Sequence, residues 1–292
     1  MNLLYHYTTV DALIGMTANM SESDRDLTMW ATDIICMNDP KERKIGVDLI
    51  NSHLEEIEDA LNMPNECRAT LLSNNDESFK KALINGINGI DQFNYNVYVT
   101  SFSQSEDSLP MWSMYGKNGN GISLGFDLES IHKNYKGGDF FFGKIIYDNI
   151  PQTDINQILK ASYQLAYKKT LGFMEQLRTK LAKEYFDKVL SLTTYHYYNL
   201  IVSSLIKHHS YEYENEYRVC CIKNTPMKFR SSNGFIVPYI EYKLPIDFLK
   251  KIIIGPTLDY ERIVYPLSKL LRSKGIDMSK IEIEKSKIPY RI

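Results

Sequence analysis

Residues 211–221 read Tyr-Glu-Tyr-Glu-Asn-Glu-Tyr-Arg-Val-Cys-Cys, and their closely spaced charges are the best material for chemistry in this chain. Tyr211, Tyr213, Tyr217 and Val219 predict an extended strand, whose period of two puts Glu212, Glu214, Glu216 and Arg218 on one face. Three carboxylates so close repel one another. They either form a solvated face with surface ion pairs, each contributing about 0–1 kcal/mol, or they face a positive group or a developing cation. The second reading is adopted here, with a sugar cation as the charge to be stabilised.

The elements that must position these residues are legible in part. Asn2 to Thr9 predicts a buried aromatic strand, and Thr9 or Asp11 caps a helix running to Met16. Leu27 to Ile35 is a second strand. Asp39, Pro40 and Glu42 then form a capping box for a helix with an apolar face through Ile45, Leu49, Leu54 and Ile57. Tyr95 to Phe102 alternates as a strand, and a polar loop follows up to Trp112. Tyr115 to Gly121, with two Asn-Gly pairs, reads as a hairpin turn before a strand at Ile122 to Phe126. It lacks the Lys-Ser/Thr ending of a phosphate loop. Further strands are expected at Phe140–Tyr147, Tyr211–Ile222, Phe235–Tyr242, Lys251–Ile254 and Lys280–Glu284, with a helix from Asp259 to Ser273. Residues 154–209 read as helical throughout. The expectation is an α+β fold in a single domain, 1–292, with helical insertions near 40–92 and 152–209.

Composition narrows the partners. The net charge is −2, but residues 1–150 carry 11 Lys/Arg against 22 Asp/Glu and the remainder 23 against 14. That asymmetry suits orientation of a polyanion without making the protein a general nucleic-acid binder. Cys36, Cys67, Cys220 and Cys221 show no metal-ligand spacing, and neither do the six histidines, so no metal is expected. The absence of a leader-like or membrane-spanning stretch points to a cytoplasmic protein with no membrane partner.

Three separated pieces resemble ADP-ribosyltransferases of the poly(ADP-ribose) polymerase and DarT type: 3–9 around His6, 29–38 around Trp30 and Asn38, and 215–219 around Glu216. The chain also resembles the bacterial family known as domain of unknown function 2971. That likeness rests on His6-Tyr7-Thr8, Met37-Asn38-Asp39-Pro40, Thr100-Ser101-Phe102-Ser103, Leu109-Pro110-Met111-Trp112, Tyr115-Gly116, Gly125-Phe126-Asp127, Glu214 with Glu216-Tyr217-Arg218, and Ile253-Ile254-Gly255-Pro256.

The resemblance implies an ADP-ribosyltransferase-like split central β-sheet with helical insertions, and NAD as substrate. Glu216 would be catalytic, and Glu214, two residues earlier, would be the base that prepares the acceptor. His6 would hold a ribose, and Trp30 with Tyr7 would sandwich nicotinamide. Thr8, Asn38, Ser101, Ser103, Trp112, Tyr115 and Arg218 would complete the cofactor-binding set. Trp30 stands where a Tyr is usual, and Tyr7 where a Gly is common. The activity implied is mono-ADP-ribosylation of a macromolecule, with nucleic acid (RNA or DNA) favoured over protein. The implied setting is a toxin or anti-phage effector with an antitoxin or chaperone partner. Two alternatives stay open: a non-enzymatic sensor or partner-binding module, and an NAD glycohydrolase. Each residue also has a plainer role. His6 fits a core histidine, Trp30 and Trp112 fit core anchors, and Asn38 and Asp39 fit a helix start.

Overall fold

The computed structural model describes residues 2–21, 23–37, 42–60, 62, 68, 96–134, 140–149, 151–174, 190, 194, 195, 198–223, 227–232 and 234–290. Strand β1 (Leu3–Thr8) leads into α1 (Val10–Thr17), where Thr9 Oγ1 accepts the Ala12 N–H at 3.1 Å as the expected cap. β2 (Asp26–Asp33) ends where the Asp33 carboxylate caps a 3₁₀ turn, Ile34–Cys36, and α2 spans Glu42–Ala60. The capping-box residues Asp39 and Pro40, and most of 62–92, lie outside the described residues.

β3 (Asn96–Ser103) is followed by α3 (Leu109–Met114), β4 (Ile122–Asp127), α4 (Leu128–Asn134), β5 (Phe140–Lys144) and β6 (Ile146–Tyr147). Then come α5 (Gln152–Met174), β7 (Ile206–Lys207), β8 (Glu216–Lys223), β9 (Lys228–Ser232) and β10 (Phe235–Pro245). β11 (Leu249–Ile254), α6 (Tyr260–Ser273) and β12 (Glu282–Lys285) close the chain, with Asp259 capping α6.

These elements make a mixed α/β protein around a large mixed sheet of ten strands. The order is β12–β11–β4–β1–β3–β2–β10–β9, and β8 pairs with both β3 and β5. β11 and β12 run parallel, and the other pairs of this sheet are antiparallel. β3 is the strand on which the site depends. One of its edges pairs with β8 along its whole length, from Asn96↔Lys223 to Ser103↔Glu216. The other edge is shared. β1 meets it at Ser103, β2 meets it at Val99 and Tyr98, and the registers leave Thr100, Ser101 and Phe102 between them. The sheet splits at those three residues.

Apolar clusters fill both faces of the sheet, and the adjacent cysteines illustrate the alternation. Cys221 packs with Leu4, Phe126 and Val219, while Cys220 packs with Val97, Phe141 and Tyr198.

Several expectations need correction. Residues 154–209 are not helical throughout, because Ile206–Lys207 forms a short parallel pair with Ile146–Tyr147. Tyr211 is not in a strand. Residues His209–Glu214 form a 3₁₀ helix closed by Asn215 in the left-handed region (φ 45°), and the strand begins only at Glu216. Tyr115–Gly121 is not a hairpin turn either, since it carries α3 into β4 and β1 lies between β3 and β4.

That turn packs tightly on the start of the β11–α6 loop. The Gly255 N–H donates to Gly121 O at 2.9 Å, and a Cβ on Gly255 would sit 2.3 Å from Gly119 O. Backbone cannot retreat as a side chain can. Gly255→Ala is therefore expected to cost about 1–3 kcal/mol of stability through overpacking, and an unchanged urea midpoint would show that the approach is not tight.

Candidate functional site

A cleft of about 530 Å³ opens where the sheet splits, lined by the unpaired stretch of β3 and by β1, β2, β8 and β9. Backbone groups left without a strand partner must find another one, and here side chains supply it. His6 Nδ1 lies 3.0 Å from Ser101 O, and Thr100 Oγ1 donates to Trp30 O at 3.0 Å. A carbonyl only accepts, so Nδ1 carries the proton and the Nε2 lone pair of His6 remains available. Burial lowers the His6 pKa, the Ser101 hydrogen bond opposing it only in part, and the ring is neutral near pH 7.

The carboxylates reach the cleft from one end. Glu214, Glu216, Lys207 and Arg218 form a buried cluster, none more than 4% exposed. Arg218 grips Glu216 with Nε to Oε1 at 2.7 Å and Nη2 to Oε2 at 3.1 Å, and its Nη1 donates to Ser204 O at 2.7 Å. Lys207 Nζ bridges the two acids, 2.6 Å from Glu214 Oε2 and 3.1 Å from Glu216 Oε2. Two acids therefore face two resident cations. The left-handed Asn215 makes this possible, because the reversal lets a 3₁₀ residue and a strand residue point their carboxylates at one lysine.

The two acids are not equivalent. Burial raises the pKa of Glu216, but Arg218 and then Lys207 more than reverse this and hold it at about 2. Ser101 Oγ, buried and without a hydrogen bond of ordinary geometry, sits near enough to add to that effect. For Glu214 burial wins. Its pKa is raised, Lys207 opposing and the charge of Glu216 adding to the shift. The Tyr115 hydroxyl donates to Glu214 Oε1 at 2.8 Å. An acid that is ionised at neutral pH thus adjoins one whose pKa is raised, the pattern that separates a charge stabiliser from a proton acceptor.

Of the twelve residues singled out in the sequence, the structure brings most to this cleft. His6, Tyr7, Thr8, Trp30, Ser101, Ser103, Tyr115, Glu214 and Glu216 all line it. Their freedom to bind differs. Trp30 is 45% exposed, with its ring 4.6 Å from that of Tyr239. Tyr7 is held in place: its one hydroxyl proton is shared between Ser105 O and Glu106 O, its oxygen accepts the Ser108 N–H, and its ring meets Trp112 edge-on at 4.8 Å. It buttresses the 105–108 loop. The Ser103 hydroxyl is likewise committed, donating to Glu214 O at 2.6 Å and accepting the Ser105 N–H.

Two expected cofactor ligands are corrected. Trp112 is wholly buried beneath the cleft, its Nε1–H held by Asp107 Oδ1 at 2.6 Å, and it does not line the cavity. Arg218 is also wholly buried and spends its guanidinium on Glu216 and Ser204, so it positions the carboxylate. Asn38 lies outside the described residues.

The sequence reading missed two cations. Lys207 falls at the end of the stretch expected to be helical, where a cation carries no signal of a site. Arg230 lies on β9, an element not expected from its polar composition. It lines the cleft, with Nη2 3.2 Å from Thr32 Oγ1 and its guanidinium 6.0 Å from the Trp30 ring centroid, while its Nε is buried without a hydrogen-bond partner.

Residues 111–219 match the family described as a protein of unknown function (DUF2971). The match begins in α3 and ends in β8, so it takes in Lys207, Glu214, Glu216 and Arg218 but neither His6 nor Trp30. No curated protein and no solved structure matches the chain. No described helix is long and apolar enough to cross a membrane.

Proposed function

We propose that the cleft binds NAD and breaks its bond between nicotinamide and ribose, passing ADP-ribose to a macromolecule. The observation that carries this reading is that His6, Trp30 and Glu216, far apart in the chain, line one cavity. Its volume falls in the usual range for small-molecule sites. Two buried polar atoms without hydrogen bonds of ordinary geometry, Ser101 Oγ and Arg230 Nε, belong to residues that line it.

The chemistry follows from the environments of the groups. The C1′–N bond breaks with its electron pair leaving on the nicotinamide nitrogen, so neutral nicotinamide departs and positive charge develops on the ribose. Glu216, ionised throughout the physiological range, stabilises that charge through the ribose 2′-hydroxyl or directly. The acceptor nucleophile bonds to C1′ and its proton passes to Glu214. His6 Nε2 accepts from a ribose hydroxyl, Trp30 stacks on the departing ring, and Arg230 offers charge to the pyrophosphate. A nucleic-acid acceptor and a toxin-like role extend the proposal along the lines of the family resemblance.

The test is incubation with NAD labelled in the adenylate half and separate protein, DNA and RNA pools. Label entering one pool supports transfer, and label appearing only as free ADP-ribose supports hydrolysis. NAD untouched and unbound refutes the proposal. Within it, Trp30→Ala is expected to weaken NAD binding about tenfold through lost stacking of about 1–3 kcal/mol, read as a raised KM with kcat less affected.

A second reading has its own observation. Glu214 and Glu216 already have Lys207 and Arg218 as partners, so the cluster accounts for itself as a buried ion network that fixes the turn at Asn215. The protein would then be a binding module, and calorimetry would find a ligand in the cleft that is bound unchanged.

A further inference from the structure

A second cluster lies outside the cleft and plays no part in the proposed chemistry. β6 and β7 pair in parallel, Ile146 opposite Ile206 and Tyr147 opposite Lys207, so both strands leave their last residues at the same end. The Asp148 N–H donates to Lys207 O at 3.1 Å. Asp148 therefore stands beside His208 and His209, although about sixty positions separate them in the chain.

We propose that Asp148, His208 and His209 hold a divalent transition metal of the zinc class. One ligand atom from each of the three lies within 4.8 Å of the others. Donors around a tetrahedral zinc at about 2.0–2.2 Å stand roughly 3.4 Å apart, so modest side-chain rotation closes the site. The donor set suits that ion, two imidazoles and one carboxylate, with a fourth position left for water because His209 is exposed.

The hydrogen bonds already favour ligation. Asp148 Oδ1 accepts both the backbone N–H and the ring Nδ1–H of His209, each at 2.8 Å. A metal that takes the place of the proton between those two atoms is ligated by both, His209 through Nδ1 and Asp148 through its carboxylate. Asp148 retains its second oxygen. The His208 ring lies over that of His209 at 4.1 Å, and its Nδ1 now accepts the Ser210 N–H at 3.2 Å. Ligation by His208 exchanges that neutral hydrogen bond for a metal bond.

An ion here would tie the end of β6 to the start of the 3₁₀ helix that carries Glu214, clamping the segment immediately after Lys207. The sequence reading expected no metal because the histidines show no ligand spacing along the chain. The spacing is created across the β6–β7 pair instead.

The test uses untagged full-length protein, treated with chelator and titrated with Co(II) and then Zn(II). Expected are one Co(II) per chain with visible d–d bands, displacement by Zn(II), and a melting temperature raised by about 3 °C or more at a hundredfold excess over Kd. His209→Ala, which removes a half-exposed ring, should lose both signals, whereas Cys36→Ser should keep them. An equal cobalt spectrum and thermal shift in His209→Ala would overturn the assignment, as would an absence of binding at micromolar metal.

Discussion

Glu216→Gln is expected to lower the rate of nicotinamide release from NAD by about a hundredfold to a thousandfold, the usual consequence of removing one preorganised group that stabilises transition-state charge. The amide keeps the shape but not the charge. Glu216 is the better candidate of the two acids for this effect because Arg218 and Lys207 hold its pKa down at about 2, so it never offers a proton where a carboxylate is needed. The substitution has a second consequence, since Arg218 and Lys207 lose a buried countercharge. NAD affinity must therefore be measured beside the rate. Retained binding through His6 and Trp30 with lost cleavage assigns the defect to chemistry, and an undiminished rate in a folded variant removes Glu216 from the mechanism.

Glu214→Gln separates the roles further. Glu214 accepts a proton only when ionised, and its pKa is raised by burial. Transfer by the wild-type protein should accordingly climb as pH rises through that raised pKa and then level off. The Gln variant should lose that climb while nicotinamide release persists.

Lys207→Met is expected to destabilise the protein by about 3–5 kcal/mol near neutral pH, the usual penalty for stripping a buried ion pair of one partner. Two carboxylates, Glu214 and Glu216, would then share a dry site with Arg218 alone, and Arg218 addresses only Glu216. The pH dependence identifies the cause. Glu214 has a folded pKa above its ordinary value of 4.5, and losing Lys207 raises it further. The stability linked to such a group is fully present below pH 4.5 and is lost as pH rises through the folded pKa. The deficit of the variant should therefore be largest at neutral and alkaline pH and shrink toward pH 4.5. Glu216 acts in the opposite sense, since its depressed pKa gives stability that is present above pH 4.5 and lost as pH falls toward about 2. Urea midpoints at pH 4.5 and pH 8 isolate the Glu214 contribution, because that of Glu216 is constant over this range, and a deficit that does not change with pH would show that Lys207 acts through packing alone.

Lys207 also marks where reading the chain ran out. Residues 154–209 contain a single glycine and no proline, and nothing local distinguishes Ile206–Lys207 from the helical stretch before it. The two residues become a strand because Ile146–Tyr147 lies alongside. Residues 211–221 failed in the opposite direction. Alternating aromatic and β-branched residues are good evidence for a strand, yet Asn215 tolerates the left-handed conformation that a 3₁₀ helix needs to hand over to β8. Glu214 and Glu216 meet in the site all the same, through a turn and not through a shared strand face.

What the sequence determined by itself were the features set within a few residues: strands β1, β3, β4, β10 and β11, the Thr9 cap, the helix that follows Asp259, and the opposite facing of Cys220 and Cys221. Period-two alternation and capping hydrogen bonds are local, so composition and order suffice to read them. Tertiary structure alone decided the split of β3 between β1 and β2, the cation that each acid faces, and the approach of Asp148 to His208 and His209. Those depend on strand registers and burial, which join residues tens to hundreds of positions apart. No local propensity carries that information.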